Sequence, residues 1–145
     1  MNHQKKLKIA IILYQMLVSG GTERQAVMFG KYLRRLGHDV VFYAFSYDKE
    51  SCYPKDLEGV EVAHMGGEKG PRNFLAKKLA SKIDKDTDVL NPHEQIALRV
   101  AYYFRREVKN IPSVLMLNDL FLSKWSLSLE LNPRRFSLAK KNAWD

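Results

Sequence analysis

An open, doubly wound α/β sheet with mainly parallel strands is the fold class this sequence predicts, and three observations carry it. Short apolar, β-branched runs recur along the chain, and segments with a helical apolar period separate them. A glycine pair, Gly20-Gly21, stands where the first run gives way to the first helix. Strand–helix units of this length imply parallel pairing, because a parallel neighbour is reached only through a crossover, and that crossover is right-handed.

The first run, 8–14, is continuously apolar, as a central strand is when both its faces are covered. Residues 22–36 carry apolar side chains at 26, 29, 33 and 36, with Thr22 and Gln25 at capping-box spacing and Gly37 as a left-handed stop. Residues 40–45 form a second strand rich in β-branched and aromatic side chains, and 60–65 a third after a polar loop holding Pro54. A helix over 72–83 places Phe74, Leu75, Leu79 and Ile83 on one side. Residues 88–91 are the fourth strand, 94–108 a helix with Ile96, Val100, Phe104 and Val108 inward, and 112–117 the fifth strand. From Lys124 the pattern is helical again, is broken at Pro133 and resumes over 134–142. The sheet is thus a Rossmann-like one that stops after about five strands.

With 145 residues, of which 46% are hydrophobic and 11% aromatic, the chain buries one sizeable core, so residues 1–145 read as a single domain. The formal charge of +8 points to an anionic partner: a nucleotide, a phosphorylated lipid, a nucleic acid or a membrane surface. A single cysteine, Cys52, has no internal disulfide partner, which fits a reducing compartment or a fold that needs no disulfide. Lys5, Lys6 and Lys8 before an apolar run mimic a secretory signal, but Tyr14 and Gln15 interrupt the run, so it is expected to be a retained strand. No stretch approaches the roughly 20 apolar residues of a membrane span.

On such sheets ligands bind outside the carboxyl ends of the strands. The residues there are Gly20 and Gly21, Ser46, Gly66 and Gly67, His93, and Asn118 and Asp119. The glycine pair is the sharpest of these signals: backbone amides at a strand-to-helix turn approach an anion only where no side chain intervenes, and the first helical N–H groups add positive partial charge. Thr22, Glu23 and Arg24 complete that turn. Gly66-Gly67-x-x-Gly70 resembles an anion nest, without the dinucleotide spacing or a Gly-Lys-Ser/Thr ending.

Lys8-Ile9-Ala10-Ile11, the glycine pair with Thr22-Glu23-Arg24, the helix ending Leu36-Gly37-His38-Asp39-Val40, and Asp88-Val89-Leu90-Asn91-Pro92-His93 together resemble the N-terminal half of a GT-B glycosyltransferase of the family-4 type. The resemblance implies an acceptor-side domain facing a nucleotide-sugar domain across a cleft. Gly20 and Gly21 would face the donor's phosphate, and His93 would line the cleft. Where the family often has a histidine or His-Asp pair after the fifth strand, this chain has Leu117-Asn118-Asp119, which leaves Asp119 as the match. The segment that holds the nucleotide-sugar belongs to a second, C-terminal domain not present in these residues, so the chain alone is expected to be inactive.

Those residues give a consistent set of expectations. His93 and Asp119 are the catalytic candidates, and Gly20, Gly21, Thr22, Glu23 and Arg24 the donor-phosphate or acceptor-binding ones. No metal or cofactor is expected, the nucleotide-sugar being a co-substrate and the acceptor a sugar or lipid-linked molecule. The expected location is the cytoplasm, with peripheral contact at the inner, anionic face of the membrane, and no nucleic acid is expected as partner. Two alternatives from other classes remain: a free-standing nucleotide- or phosphate-binding module, and a basic module for membrane or nucleic-acid attachment.

Overall fold

The computed structural model describes residues 5–18 and 20–117. The candidates Asn118 and Asp119 and the helical segments expected from 124 onward lie outside the described residues.

Strand β1 (Lys8–Met16) forms the centre, with β2 (Asp39–Tyr47) on one side and β4 (Val89–Pro92) on the other, while β3 (Val62–His64) extends the sheet beyond β2. The order is β3-β2-β1-β4 and every pairing is parallel, in the register Ile11↔Phe42, Ile11↔Asn91 and Tyr43↔Ala63. Helix α1 (Gly21–Arg35) joins β1 to β2, α2 (Arg72–Lys82) joins β3 to β4, and α3 (Glu94–Glu107) follows β4.

Alternation along β1 explains its apolar character over 9–13. Ile9, Ile11 and Leu13 face α1, where they meet Ala26, Val27, Phe42 and the loop residues Cys52 and Leu57. Ala10 and Ile12 face the opposite layer of α2 and α3, with Tyr43, Leu79, Leu90, Val100 and Phe104. Successive strand side chains point to opposite faces, so a strand sandwiched between helical layers is apolar at every position.

Gly30 sets how closely α1 lies on the sheet: a methyl group there would stand 2.7 Å from Phe42 Cζ and 3.1 Å from Ile11 Cδ1. The helix stops as expected at Gly37, whose φ of +90° suits glycine and lets the His38 amide bond the Leu33 carbonyl at 3.1 Å.

Several sequence expectations are corrected. The capping box at Thr22 does not form: α1 starts one residue earlier, Gly20 is its N-cap, and Thr22 lies inside the helix. On α2 Phe74 is exposed, and Ala76 and Ala80 join Leu75, Leu79 and Ile83 on the buried side, because the small alanines let α2 approach its neighbours. On α3 the inward face is Ala97, Val100, Ala101 and Phe104, Ile96 lies at its border, and Val108 falls past the helix end, exposed.

The third strand shrinks to Val62–His64 because it is the outermost strand and Gly66 and Gly67, both at positive φ, end it. The fifth strand is present only as two parallel bridges, Leu90↔Ser113 and His93↔Met116. Its backbone bonds alternate along β4 all the same, from the Val114 amide to the Leu90 carbonyl at 2.8 Å and from the Met116 amide to the Pro92 carbonyl at 2.9 Å. Pro112 brings no amide to the start of this segment, which makes the pairing sparse there.

Candidate functional site

All four strands point the same way, so their carboxyl ends and the N-termini of the helices that follow make one rim. Gly20 and His93 both lie on it, past the ends of the neighbouring strands β1 and β4. The His93 amide donates to the Ile12 carbonyl at 2.8 Å, which ties the two strand ends together.

The glycine turn is held from two sides. Asp48, just past β2, donates its amide to the Met16 carbonyl at 2.9 Å, and the Tyr53 hydroxyl donates to the Gly20 carbonyl at 3.1 Å. Asp48 in turn organises the loop, accepting from the Glu50 amide at 2.9 Å and from the Ser51 hydroxyl at 2.9 Å, which holds its carboxyl below the usual range. Tyr53 takes a positive φ of 44°, uncommon for a side chain of that size, as it reaches across to the turn. Cys52 beside it is buried, and burial pushes its thiol up to about 11, which keeps it protonated.

The first intrahelical bond of α1 runs from the Arg24 amide to the Gly20 carbonyl at 3.0 Å, so the amides of Gly21, Thr22 and Glu23 lie ahead of it in the positive first turn. Gly21 is exposed, and a Cβ built there would meet nothing within 4 Å. Arg24 is exposed, and among the described residues it enters no ion pair. Glu23, by contrast, is buried.

Across the rim the His93 side chain has no exposed surface. Its Nε2 stands 2.8 Å from Asn91 Oδ1, while Asn91 Nδ2 donates to the Val114 carbonyl at 2.7 Å. With its amide nitrogen committed to a carbonyl, Asn91 presents an acceptor to the ring, so Nε2 carries the proton. Burial lowers the His93 pKa to about 4, so the imidazole is neutral at physiological pH. The residue stands at the rim, with its ring enclosed. The next residue, Glu94, opens α3 with φ at +76°, a strained backbone for a glutamate.

The Gly66-Gly67 nest is not available to an anion. The Gly66 amide donates to His64 Nδ1 at 3.1 Å and the Gly67 amide to the Phe45 carbonyl at 3.1 Å, so both donors are used in turning the chain. Ser46 lies behind this loop, its Cβ 4.0 Å from the Cβ position of Gly67.

Several basic residues of α2, of α3 and of the segment just past it are engaged locally. Lys77 pairs with Glu107 at 3.0 Å and lies over the Tyr103 ring, Lys78 pairs with Glu68, Arg99 donates to Asn73, and Lys109 donates to the Thr87 carbonyl. Among the described residues no cluster of three or more His, Cys, Asp or Glu side chains is placed to hold a metal ion, and no helix is long and apolar enough to cross a membrane.

Two contributors to the rim were not singled out from sequence. Asn91 was readable in principle, since positions two apart on a strand share a face and Asn91 stands two before His93. Tyr53 carries no local signal, because its contact with Gly20 spans 33 residues.

A parallel sheet with helices on both faces and an open glycine turn at its carboxyl rim is a Rossmann-like α/β domain. The family model for Glycosyltransferase Family 4 matches residues 19–144, and the chain belongs to that family. Among solved structures, the fold is similar to a glycosyltransferase from Rickettsia africae ESF-5, with a TM-score of 0.55 and 22% identity over 79% of this chain and 30% of that one. It is also similar to the C-terminal domain of a hydrogenase from Pyrococcus furiosus, with a TM-score of 0.53 and 14% identity over 78% of this chain and 93% of that domain. At these identities both likenesses speak to fold alone, and the chain spans under a third of the Rickettsia protein's length. No curated protein matches the sequence.

Proposed function

We propose that this chain is the acceptor-side domain of a glycosyltransferase that moves a sugar from a nucleotide-sugar donor to an acceptor hydroxyl. One observation carries the reading beyond family membership: the first turn of α1 is open at Gly21, where neither backbone strain nor crowding requires a glycine. What the missing side chain leaves is access to the amides of Gly21 and Thr22. Amides at a helix N-terminus stabilise negative charge, and charge grows on the diphosphate as the sugar leaves it. Arg24, exposed and without an ion pair, stands beside them as a second group for that charge.

In this reading the nucleotide is held by a second domain, and transfer proceeds without a metal. His93, neutral and enclosed, is a positioning residue that fixes the tip of β4 through Asn91. Asp119 is the candidate base for the acceptor hydroxyl, a sugar or lipid-linked one. The local pairing of the α2 and α3 cations gives no support to membrane or nucleic-acid attachment as the main role.

The test is reconstitution. This chain is mixed with a separately produced donor-binding domain of a family-4 enzyme, and transfer of labelled sugar is followed over a panel of nucleotide-sugars. The expected result is transfer from the mixture and none from either part alone. Tight nucleotide binding by this chain alone, with no transfer from any mixture, would favour the free-standing nucleotide-binding module.

A further inference from the structure

Along the flank of α3 runs a groove of about 630 Å³, none of whose lining residues belongs to the glycine turn. One wall is a single helical stripe, Gln95, Leu98, Tyr102 and Arg105, at the spacing i, i+3, i+7 and i+10. The other wall is the edge segment beside β4, through Ser113. Leu98 and Tyr102 are 41% and 54% exposed, on a helix whose opposite side is core. Ser113 gives the second observation: its Oγ is buried and, among the described residues, is the one buried side-chain polar atom with no hydrogen-bond partner. Buried hydroxyls are ordinarily matched, so a groove with this one on its wall lacks an element.

We propose that the groove is the seat of this chain's own next segment, residues 120–131, packed as a helix alongside α3. Helices α2 and α3 lie on the sheet face opposite α1. A further right-handed crossover, carrying the sheet outward past the edge segment, puts the helix after Leu117 on the α3 side, where the groove is. The sequence of the segment fits. At helical spacing Phe121, Leu122, Trp125 and Leu129 share one side and Ser123, Ser126 and Glu130 the other, and Pro133 stops the helix. A helix over 120–131 is about 18 Å long, against about 15 Å for the stripe from Gln95 to Arg105.

Such a helix runs away from the rim, so its last turn, whose carbonyls have no partner inside the helix, arrives beside Ser113 at the far end of the edge segment. Only Asn118 and Asp119 separate it from Leu117. A tether that short gives an effective concentration of about millimolar or more, against which an outside partner competes poorly. The seating stands without the sugar-transfer reading. Within that reading it holds Asp119 at the rim, next to the His93↔Met116 bridge.

Trp125 reports on the seating. Trp144→Phe leaves it the single tryptophan of the full chain. In that background its emission and acrylamide quenching are compared with those of Leu98→Asp and Tyr102→Asp, which put charge at exposed groove positions, and of Met28→Asp, a control at a 49% exposed position on α1. The expected result is blue-shifted, shielded emission in the parent and in Met28→Asp, and a red shift with several-fold greater quenching in both groove variants. An unmoved Val41 amide in nitrogen-15 spectra reports an intact sheet. Trp125→Ala is expected to shift the Leu98 and Ser113 amides, a readout that needs no change in the groove. The proposal is overturned if Trp125 is open to acrylamide in the parent, if its shielding is indifferent to both groove substitutions, or if Trp125→Ala leaves those amides in place. Shielding that disappears on dilution, as a dimer separates in sedimentation, overturns it in favour of a second copy as occupant. No sugar or nucleotide enters the measurement, so its outcome is independent of the transfer assay.

Discussion

The Tyr53 hydroxyl donates to the Gly20 carbonyl across 33 residues of sequence, at 3.1 Å. Together with the Asp48 amide on Met16, this bond brackets the segment between β1 and α1 and makes the glycine turn part of the loop that follows β2. An open turn gains pre-organisation from such an outside tie, which adds to the Arg24 amide's bond to the same carbonyl.

Tyr53→Phe keeps the ring and removes the tie. A net hydrogen bond of this kind contributes about 1 kcal/mol, so the Arg24 amide, bonded to the same Gly20 carbonyl, should exchange with solvent several-fold faster. The His93 amide on β4 serves as the internal reference, and equal acceleration of both would place the effect on the whole fold rather than on the turn.

Gly30→Ala tests the close seat of α1. Alanine favours a helix over glycine by about 1 kcal/mol, but here its methyl group would meet the Phe42 ring at 2.7 Å. Overpacking of this sort costs about 1–3 kcal/mol, so chemical denaturation should show a net loss of stability. A gain would mean that α1 lifts from the sheet without penalty.

His93 predicts a pH dependence of stability. Burial holds its pKa at about 4 in the folded chain against 6.5 for the ordinary group, so the unfolded chain binds the extra proton between those values. Stability from this group is complete above pH 6.5 and is lost as the pH falls toward 4, by about 3 kcal/mol in all. In His93→Gln, which retains a donor for Asn91, urea unfolding measured at pH 7 and pH 4.5 should show a smaller difference than the parent chain does.

The sheet was legible in the sequence because β1, β2 and β4 are apolar at consecutive positions and glycines mark the junctions. The inward faces of α2 and α3 were less so. Ala76, Ala80, Ala97 and Ala101 scarcely register in an apolar pattern, yet they are what the helices use to approach their neighbours, and Phe74 registers strongly but faces out. Gly30 carries no local signal of its role, because the Phe42 ring beneath it is supplied by another strand.

At the site, position was legible and state was not. His93 sits at the rim as its place after the fourth strand required, but its burial and the orientation of its partner Asn91, set by the Val114 carbonyl, come from tertiary structure. The Gly20-Gly21 turn was found from its strand-to-helix context, whereas the Tyr53 tie and the inward fold of Glu23 arise from tertiary packing that no local pattern encodes.

Gly21 offers the most direct test of the central claim, that the open first turn of α1 faces the substrate. Gly21→Leu places a side chain where the structure has empty space, at an exposed helical position with no positive φ, so thermal stability should change by less than about 0.5 kcal/mol. In the reconstituted transfer assay the same substitution should reduce sugar transfer by at least about a hundredfold, the cost of losing a first-turn donor and its access. Transfer that survives Gly21→Leu at the parental rate, in a chain of parental stability, would contradict the account.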